Sequence, residues 1–255
     1  TPEFCSPFRV PGDVLAEARQ RALAAADRIV DGSVEVFGRA IALGPSPDWH
    51  QVIHQQGVWP LDPWWEIDIR SPNRPGDVKW AWELGRHRHL VLLARAVYLK
   101  PTARRYLDLL ESHLGSWLEQ NPPEMGVHWY SNLEISLRGL AWLQILALVG
   151  DALDPETVTR MQETLYRSGR HLMIDLPYTA STMRNNHLIG DGLGLVALGL
   201  AFHGDRKAGR WLRLGNRLLN RQLHRHFNPD GSSIEDSISY SRFVIEMLAL
   251  RVILG

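Results

Sequence analysis

Four short stretches of this 255-residue chain set polar and ionisable side chains in front of, or inside, otherwise apolar segments. The first is Arg184-Asn185-Asn186-His187, which precedes an apolar, Gly-punctuated run. Amide side chains and the free N–H groups of a helix start point the same way, so such a cluster suits a carboxylate or another anion. Asp191 follows one turn later, a spacing that would let it fix the tautomer of His187. The second stretch runs from Asn228 to Tyr240. Its Pro-Asp-Gly is a turn, and Ser232 or Ser233 with Glu235 or Asp236 has the pattern of a capped helix start. Tyr240 then falls one to two turns into that helix, where a phenol with suitable neighbours acts as a general acid or base.

The third stretch is Trp129-Tyr130-Ser131-Asn132-Leu133-Glu134, with Arg138 four residues beyond Glu134. On a surface helix an i,i+4 ion pair contributes only a few tenths of a kcal/mol. This helix is otherwise very apolar, through Leu137, Leu140, Ala141, Trp142, Ile145 and Leu146, so the pair is expected to face a central cleft. The fourth, Trp80 to His89, is a basic and aromatic turn whose Arg86, His87 and Arg88 fit sulfate or carboxylate. Each stretch also has a plainer structural use: cap, ion pair, packing or solvated face.

These residues must be positioned by helices. Periodic apolar residues predict a helix over Asp13 to Val30. The segment from Asp31 to Pro75 carries six prolines, including Pro45, Pro60 and Pro75, which excludes long helices and leaves an extended, aromatic-rich wrap. Beyond it helices are predicted over Asp77 to Leu99, Thr102 to Gln120, Asn132 to Val149, Pro155 to Leu176, Asn185 to Phe202, Asp205 to His226 and Ser233 to Leu254. A loop from Pro177 to Met183 separates the fourth from the fifth. Short connections make consecutive helices antiparallel, so the fold class is all-α: a stack of helical hairpins in a solenoid or an (α/α) incomplete toroid. The expected division is an N-terminal helix and wrap over residues 1–76, then the helical domain over 77–255. An apolar stretch to Leu254 with no polar tail suggests a truncated chain or a proteolytic fragment.

Composition narrows the partners. Lys+Arg and Asp+Glu both number 28, so no excess positive field favours nucleic acid, and an acidic polymer would have to meet a local cluster. One cysteine, Cys5, cannot form a disulfide or a thiolate metal site within the chain. No uninterrupted apolar run has the length of a membrane span, and Thr1 to Val10 does not read as a signal peptide. Ten Trp, concentrated between Trp49 and Trp82, are either large core residues or flat platforms for sugar rings.

Taken together and in order, Trp-Glu-Leu-x-Arg-His at 82–87, Trp-Tyr-Ser-x-Leu-Glu at 129–134 with Arg138, Asn-Asn-His at 185–187 and Asp-Gly-Ser-x-x-Glu-x-Ser-x-x-Tyr at 230–240 resemble the heparinase II/III-like polysaccharide lyases and related alginate lyases. The resemblance covers nearly the whole chain. It implies an N-terminal (α/α) toroid followed by an antiparallel β-sandwich domain, with the active site between them, in a bacterial periplasmic or secreted protein. It implies that Asn186 neutralises a uronate carboxyl group, that His187 is its active-site neighbour, and that Tyr240 is the general acid, in some members also the base. Arg86, His87, Trp129, Tyr130, Glu134, Arg138 and Arg184 become the expected substrate contacts. Ser241, where His is often found, and Gly85, where Asn is frequent, depart from the pattern and bear on subsite specificity.

The expected activity is β-elimination on a uronic-acid-containing polysaccharide. The C5 proton of a uronate leaves only when the adjacent carboxylate is neutralised and the enolate-like intermediate meets directed donors. This chemistry requires no metal or nucleotide cofactor in the chain; family members can carry a metal in the β domain. The expected partner is an acidic polysaccharide or oligosaccharide, with heparan sulfate, alginate and bacterial exopolysaccharide equally compatible. On its own the chain is expected to turn substrate over slowly or not at all. The alternatives are a glycoside hydrolase on the same toroid, using two carboxylates from Asp68, Glu83, Glu134, Asp191, Glu235 and Asp236, or a noncatalytic helical module that binds polysaccharide or protein.

Overall fold

A computed structural model describes residues 2–9, 14–53, 57–183, 185–235 and 237–254. Nine α-helices are present among them: α1 Ala16–Val30, α2 Val78–Gly85, α3 Arg88–Leu99, α4 Arg104–Gln120, α5 Asn132–Val149, α6 Pro155–Thr182, α7 Asn186–Ala201, α8 Arg206–His226 and α9 Ile238–Ile253. Within hairpins α3 packs on α4, α5 on α6 and α7 on α8. Contacts from α3 to α5, α5 to α7 and α7 to α9 line up one row of helices, and contacts from α4 to α6 and α6 to α8 line up the other. The result is a two-layered arc of antiparallel helices, the toroid-like all-α architecture expected.

The sequence explains the two rows. Helix α8 has a sharply divided surface: Trp211, Gly215, Leu219 and Gln222 are buried while its arginines face solvent. By contrast α5 and α7 are apolar on all sides because neighbours enclose them on all sides. Residues 132–152 are thus long and apolar enough to cross a membrane by length and composition, yet 67% of the most apolar window is buried inside the protein. Helices α7 and α8 approach so closely that a Cβ added to Gly215 would lie 2.6 Å from the carbonyl oxygen of Gly192.

The wrap holds one short element that the proline count hid. Strands β1 Ser33–Val36 and β2 Arg39–Ala42 form an antiparallel hairpin, with Val34 opposite Ile41. Its turn residues Phe37 and Gly38 both have positive φ, 50° and 73°, the geometry that matches the twist of a tight hairpin. Further on, prolines leave the wrap few backbone donors, and α4 satisfies its carbonyls instead. Ser112 Oγ donates to the oxygen of Pro45 at 2.7 Å, His113 Nε2 to that of Gly44 at 3.0 Å and the Gln120 amide Nε2 to that of Pro47 at 2.9 Å. Trp49 is anchored among Trp117, His87, His89 and His113, so this part of the wrap shares the main core of the helices.

Three boundaries differ from expectation. The helix expected over Asp77 to Leu99 breaks at Arg86-His87, because His87 takes left-handed backbone angles (φ 60°) to place its ring in the core. The loop expected from Pro177 to Met183 is instead helical: α6 runs through Pro177 to Thr182. Leu176 and Thr179 are both buried, so packing on either side of the proline outweighs its lost hydrogen bond. Finally, α9 starts at Ile238 rather than Ser233, capped by Ser237 Oγ, which accepts from the N–H of Tyr240 at 3.5 Å.

Candidate active site

Four helix ends and one loop supply the polar cluster. At the end of α2, Arg86 forks onto Glu134: its Nε lies 2.7 Å from Oε2 and its Nη2 2.8 Å from Oε1. A third nitrogen, Nη1, pairs with Glu83 one turn back on α2. Burial works against the guanidinium charge, but Glu134 and Glu83 outweigh it and hold Arg86 above the ordinary arginine value. Glu134 lies in the first turn of α5 and is buried, where only such a two-point partner makes a carboxylate tolerable.

Asn186 and His187 open α7, after Asn185, whose Oδ1 accepts from the His187 N–H at 3.1 Å as the helix cap. Glu235, on the loop before α9, reaches across to Asn186. Its Oε1 accepts from the Asn186 backbone N–H at 3.1 Å and from Nδ2 at 3.0 Å, and its Oε2 lies 3.2 Å from Nδ2. The donors of Asn186 thus hold a carboxylate that belongs to the protein itself. Asn186 is itself buried, and both oxygens of Glu235 take up its amide nitrogen. His226, at the end of α8, lies 4.0 Å from Glu235 and 3.1 Å from Ser233 Oγ, which fixes the near end of the loop.

The His187 ring has no hydrogen-bond partner among the described residues and is half-buried. Burial lowers its pKa, with Arg86 acting in the same sense and Glu134 and Glu235 opposing. His187 is therefore electrostatically coupled to both acidic groups and stands neutral at pH 7. Tyr240 lies in the first turn of α9, nearer the helix start than expected, and is 51% exposed. Its hydroxyl has no partner among the described residues.

Three expected substrate contacts are enclosed in the core instead. His87 is fully enclosed, accepts from Trp142 Nε1 at 2.8 Å through Nδ1, and packs edge-on to Trp117 at 4.3 Å. Trp129 is equally buried, with its ring against His171. Arg138 does not pair with Glu134 across a cleft. It donates to the carbonyl of His128 at 3.0 Å and lies 4.9 Å over the Trp117 ring, and burial lowers its pKa to about 10. These three side chains hold the core that supports the site. Arg184 lies outside the described residues, as does Asp236. Tyr130 stays at the surface, half-buried between Trp64 and Trp82 with ring centroids 6.2 and 6.3 Å away.

Asp191 is also interior. It accepts from Asn132 Nδ2 at 3.3 Å instead of orienting His187, and burial pushes its carboxyl up to about 7. A groove of about 380 Å³ opens beside Arg86, between α3, α5 and α9, with Arg88, Arg95, Phe243 and Glu246 in its walls. Sequence reasoning missed the tie between Asn186 and Glu235. Its signal was present: both lie beside the short polar stretches that interrupt apolar helices.

The family model for the heparinase II/III N-terminus matches residues 48–253. The fold is similar to the crystal structure of heparan sulfate lyase HepC from Pedobacter heparinus, with a TM-score of 0.63 at 17% identity, over 97% of this chain and 36% of that one. A mutant of the same lyase superposes with a TM-score of 0.59 at 18% identity and the same coverage. The chain therefore spans about a third of the length of the lyase it resembles. No curated protein matches it in sequence.

Proposed function

Because this chain belongs to the heparinase II/III family, we propose that it forms the helical half of a polysaccharide lyase that cleaves uronic-acid-containing chains by β-elimination. The observation that carries this reading is the grip of Asn186 on a carboxylate: its N–H and amide already bind Glu235 beside a neutral His187. A uronate carboxyl group that took the place of Glu235 on the donors of Asn186, with His187 beside it, would lose part of its charge to those donors. The C5 proton would then pass to a base, the electron pair would form the C4=C5 bond, and the C4–O4 bond would break. Tyr240 would protonate the departing oxygen, a role for which an exposed phenol without a competing partner is suited.

The same geometry weakens the hydrolase alternative. Two carboxylates must flank the scissile bond for hydrolysis. Glu83 and Glu134 are committed to Arg86, Glu235 to Asn186, and Asp191 is enclosed. Asp68 accepts from the N–H of Arg70 in its own turn.

Acid–base chemistry of this kind needs water excluded from the site. We infer that another part of the polypeptide, a facing β-sandwich domain, supplies the second wall, in keeping with the third of HepC that the present chain matches. The test is the ultraviolet absorbance of the unsaturated product from defined uronate oligosaccharides, compared between these 255 residues, a longer polypeptide and its Tyr240→Phe variant. The longer protein should be active, and the variant should lose about a hundredfold or more in rate with oligosaccharide affinity nearly unchanged. Unchanged turnover in Tyr240→Phe would overturn the assignment of the acid, and saturated products would overturn the lyase reading.

A further inference from the structure

A second patch, away from Asn186 and His187, combines an exposed aromatic ring with unpaired positive charge. The short 3-10 turn Trp64–Glu66 is pinned to the rest of the protein by Trp64. The Trp64 Nε1–H donates to Glu124 Oε2 at 2.9 Å, and the same oxygen lies 2.7 Å from His171 Nδ1 of α6. Trp64 also packs edge-on to the His171 ring at 5.1 Å. Glu124 itself sits at φ 70°, a left-handed backbone that costs free energy in a non-glycine residue and aims its side chain at both partners.

Beside this anchored ring, Trp65 stands 62% exposed, at 85° to Trp64. Facing it across a shallow cavity of about 340 Å³ are Arg167, Arg170 and Ile174 of α6, spaced to share one stripe of the helix. Both arginines are exposed and neither has an ion-pair partner among the described residues. The Glu124 carboxylate also lines the cavity, but His171 and Trp64 occupy it. Its pKa, raised by burial, is brought below the ordinary value by His171, Trp64 and Arg167. Two guanidinium charges therefore face one committed carboxylate.

A rigid indole with a water-exposed face suits the C–H face of a pyranose, and planar guanidinium forks suit sulfate or carboxylate oxygens. The patch does not stand alone. Trp64 leads to Tyr130 at 6.2 Å, and Tyr130 stacks on Trp82 at 6.3 Å and 30°. Trp82 immediately precedes Glu83, the partner of Arg86. A row of aromatic side chains thus runs from the patch to the Arg86 cluster.

We propose that Trp65, Arg167 and Arg170 form a distal subsite for an anionic sugar of a long acidic polysaccharide, joined to the catalytic cluster by the Trp64–Tyr130–Trp82 row. This subsite rests on the reading of the protein as an acidic-glycan lyase. It engages only substrates of several sugars, because the row separates it from Arg86 by several ring widths.

The experiment is isothermal titration of the protein with a heparin-derived dodecasaccharide, a heparin-derived tetrasaccharide, alginate oligosaccharides of the same lengths and neutral dextran. It compares the parent with Trp65→Ala and with the double variant Arg167→Ala, Arg170→Ala. These side chains are exposed, so thermal midpoints should match the parent, which establishes folding. The expected result is about tenfold weaker dodecasaccharide binding in each variant, a shallower salt dependence in the double variant only, and no change for the tetrasaccharide. Equal dodecasaccharide affinity in parent and variants would overturn the subsite while leaving the acidic-glycan reading intact. Failure of the parent to bind either the heparin oligosaccharides or the alginate oligosaccharides more tightly than dextran would overturn that reading, and the subsite with it.

Discussion

At the scale of single residues, the interior decides more than the surface. Asp191 is enclosed, and its pKa of about 7 lies well above the ordinary carboxylate value of 3.8 because burial penalises its charge. A folded-state pKa raised above the unfolded one means that stability is complete below about pH 4 and falls as the unfolded chain ionises, up to about pH 7. Asp191→Asn keeps a hydrogen-bonding side chain of the same size and removes this penalty. The variant should be more stable than the parent by roughly 1–3 kcal/mol at pH 8, with the gain absent at pH 4. Urea denaturation at the two pH values checks this; a gain of the same size at both would show that ionisation is not its cause. The polar cluster itself was legible in the sequence by residue type, since Arg86, Glu134 and His187 lie close enough to interact. Their pairing was not. Glu134 and Arg138 have ideal i,i+4 spacing, yet the rotation of α5 sends Arg138 onto Trp117 and leaves Glu134 to an arginine 48 positions away. Local spacing cannot encode which neighbour wins when both are buried.

Among the elements, apolar periodicity identified almost every helix, and α5 was found with its observed ends. The misses lie where tertiary packing overrides local preference. His87 breaks a continuous apolar pattern because its ring is needed among Trp49, Trp117 and Trp142. Pro177 fails to break one because α6 is held on both sides of it. That reading has a measurable consequence. In Pro177→Ala the restored N–H can bond to the preceding turn and the ring no longer crowds it, while the unfolded chain gains freedom. The balance should stabilise the protein by about 1–2 kcal/mol, seen as a higher denaturation midpoint with an unchanged denaturant slope. A loss of stability would mean that a bend at the proline is required to deliver the end of α6 to Asn185.

Across the whole molecule, five imidazoles stand out. His50, His87, His89, His113 and His128 are all buried around Trp49 and Trp117, where the wrap meets the helices. Each has one ring nitrogen without a partner. Among the described residues no group of three or more His, Cys, Asp or Glu is arranged to hold a metal ion. Burial is the main cause that lowers the pKa of all five, that of His89 to about 3. A depressed histidine value leaves stability complete above about 6.5, the unfolded value, and drains it as the pH falls below that point. Each imidazole contributes up to about 1.4 kcal/mol per pH unit, against a total of about 5–15 kcal/mol for a typical domain. The thermal midpoint should therefore drop by on the order of 10 °C or more between pH 7 and pH 5, and replacing His89 with Phe should flatten that slope. A midpoint indifferent to pH over this range would refute the account.

The staple between wrap and helices thus has a second face. His113 of α4 holds the carbonyl of Gly44, His128 holds that of Trp49, and His50 of the wrap reaches that of Gln120 at the end of α4; each ring can accept a proton only by leaving its place. Acid would then act as a solvent for one seam of the protein before it reaches the rest: the wrap should peel away first, exposing Trp49 and Trp117 to water while the helical arc still stands.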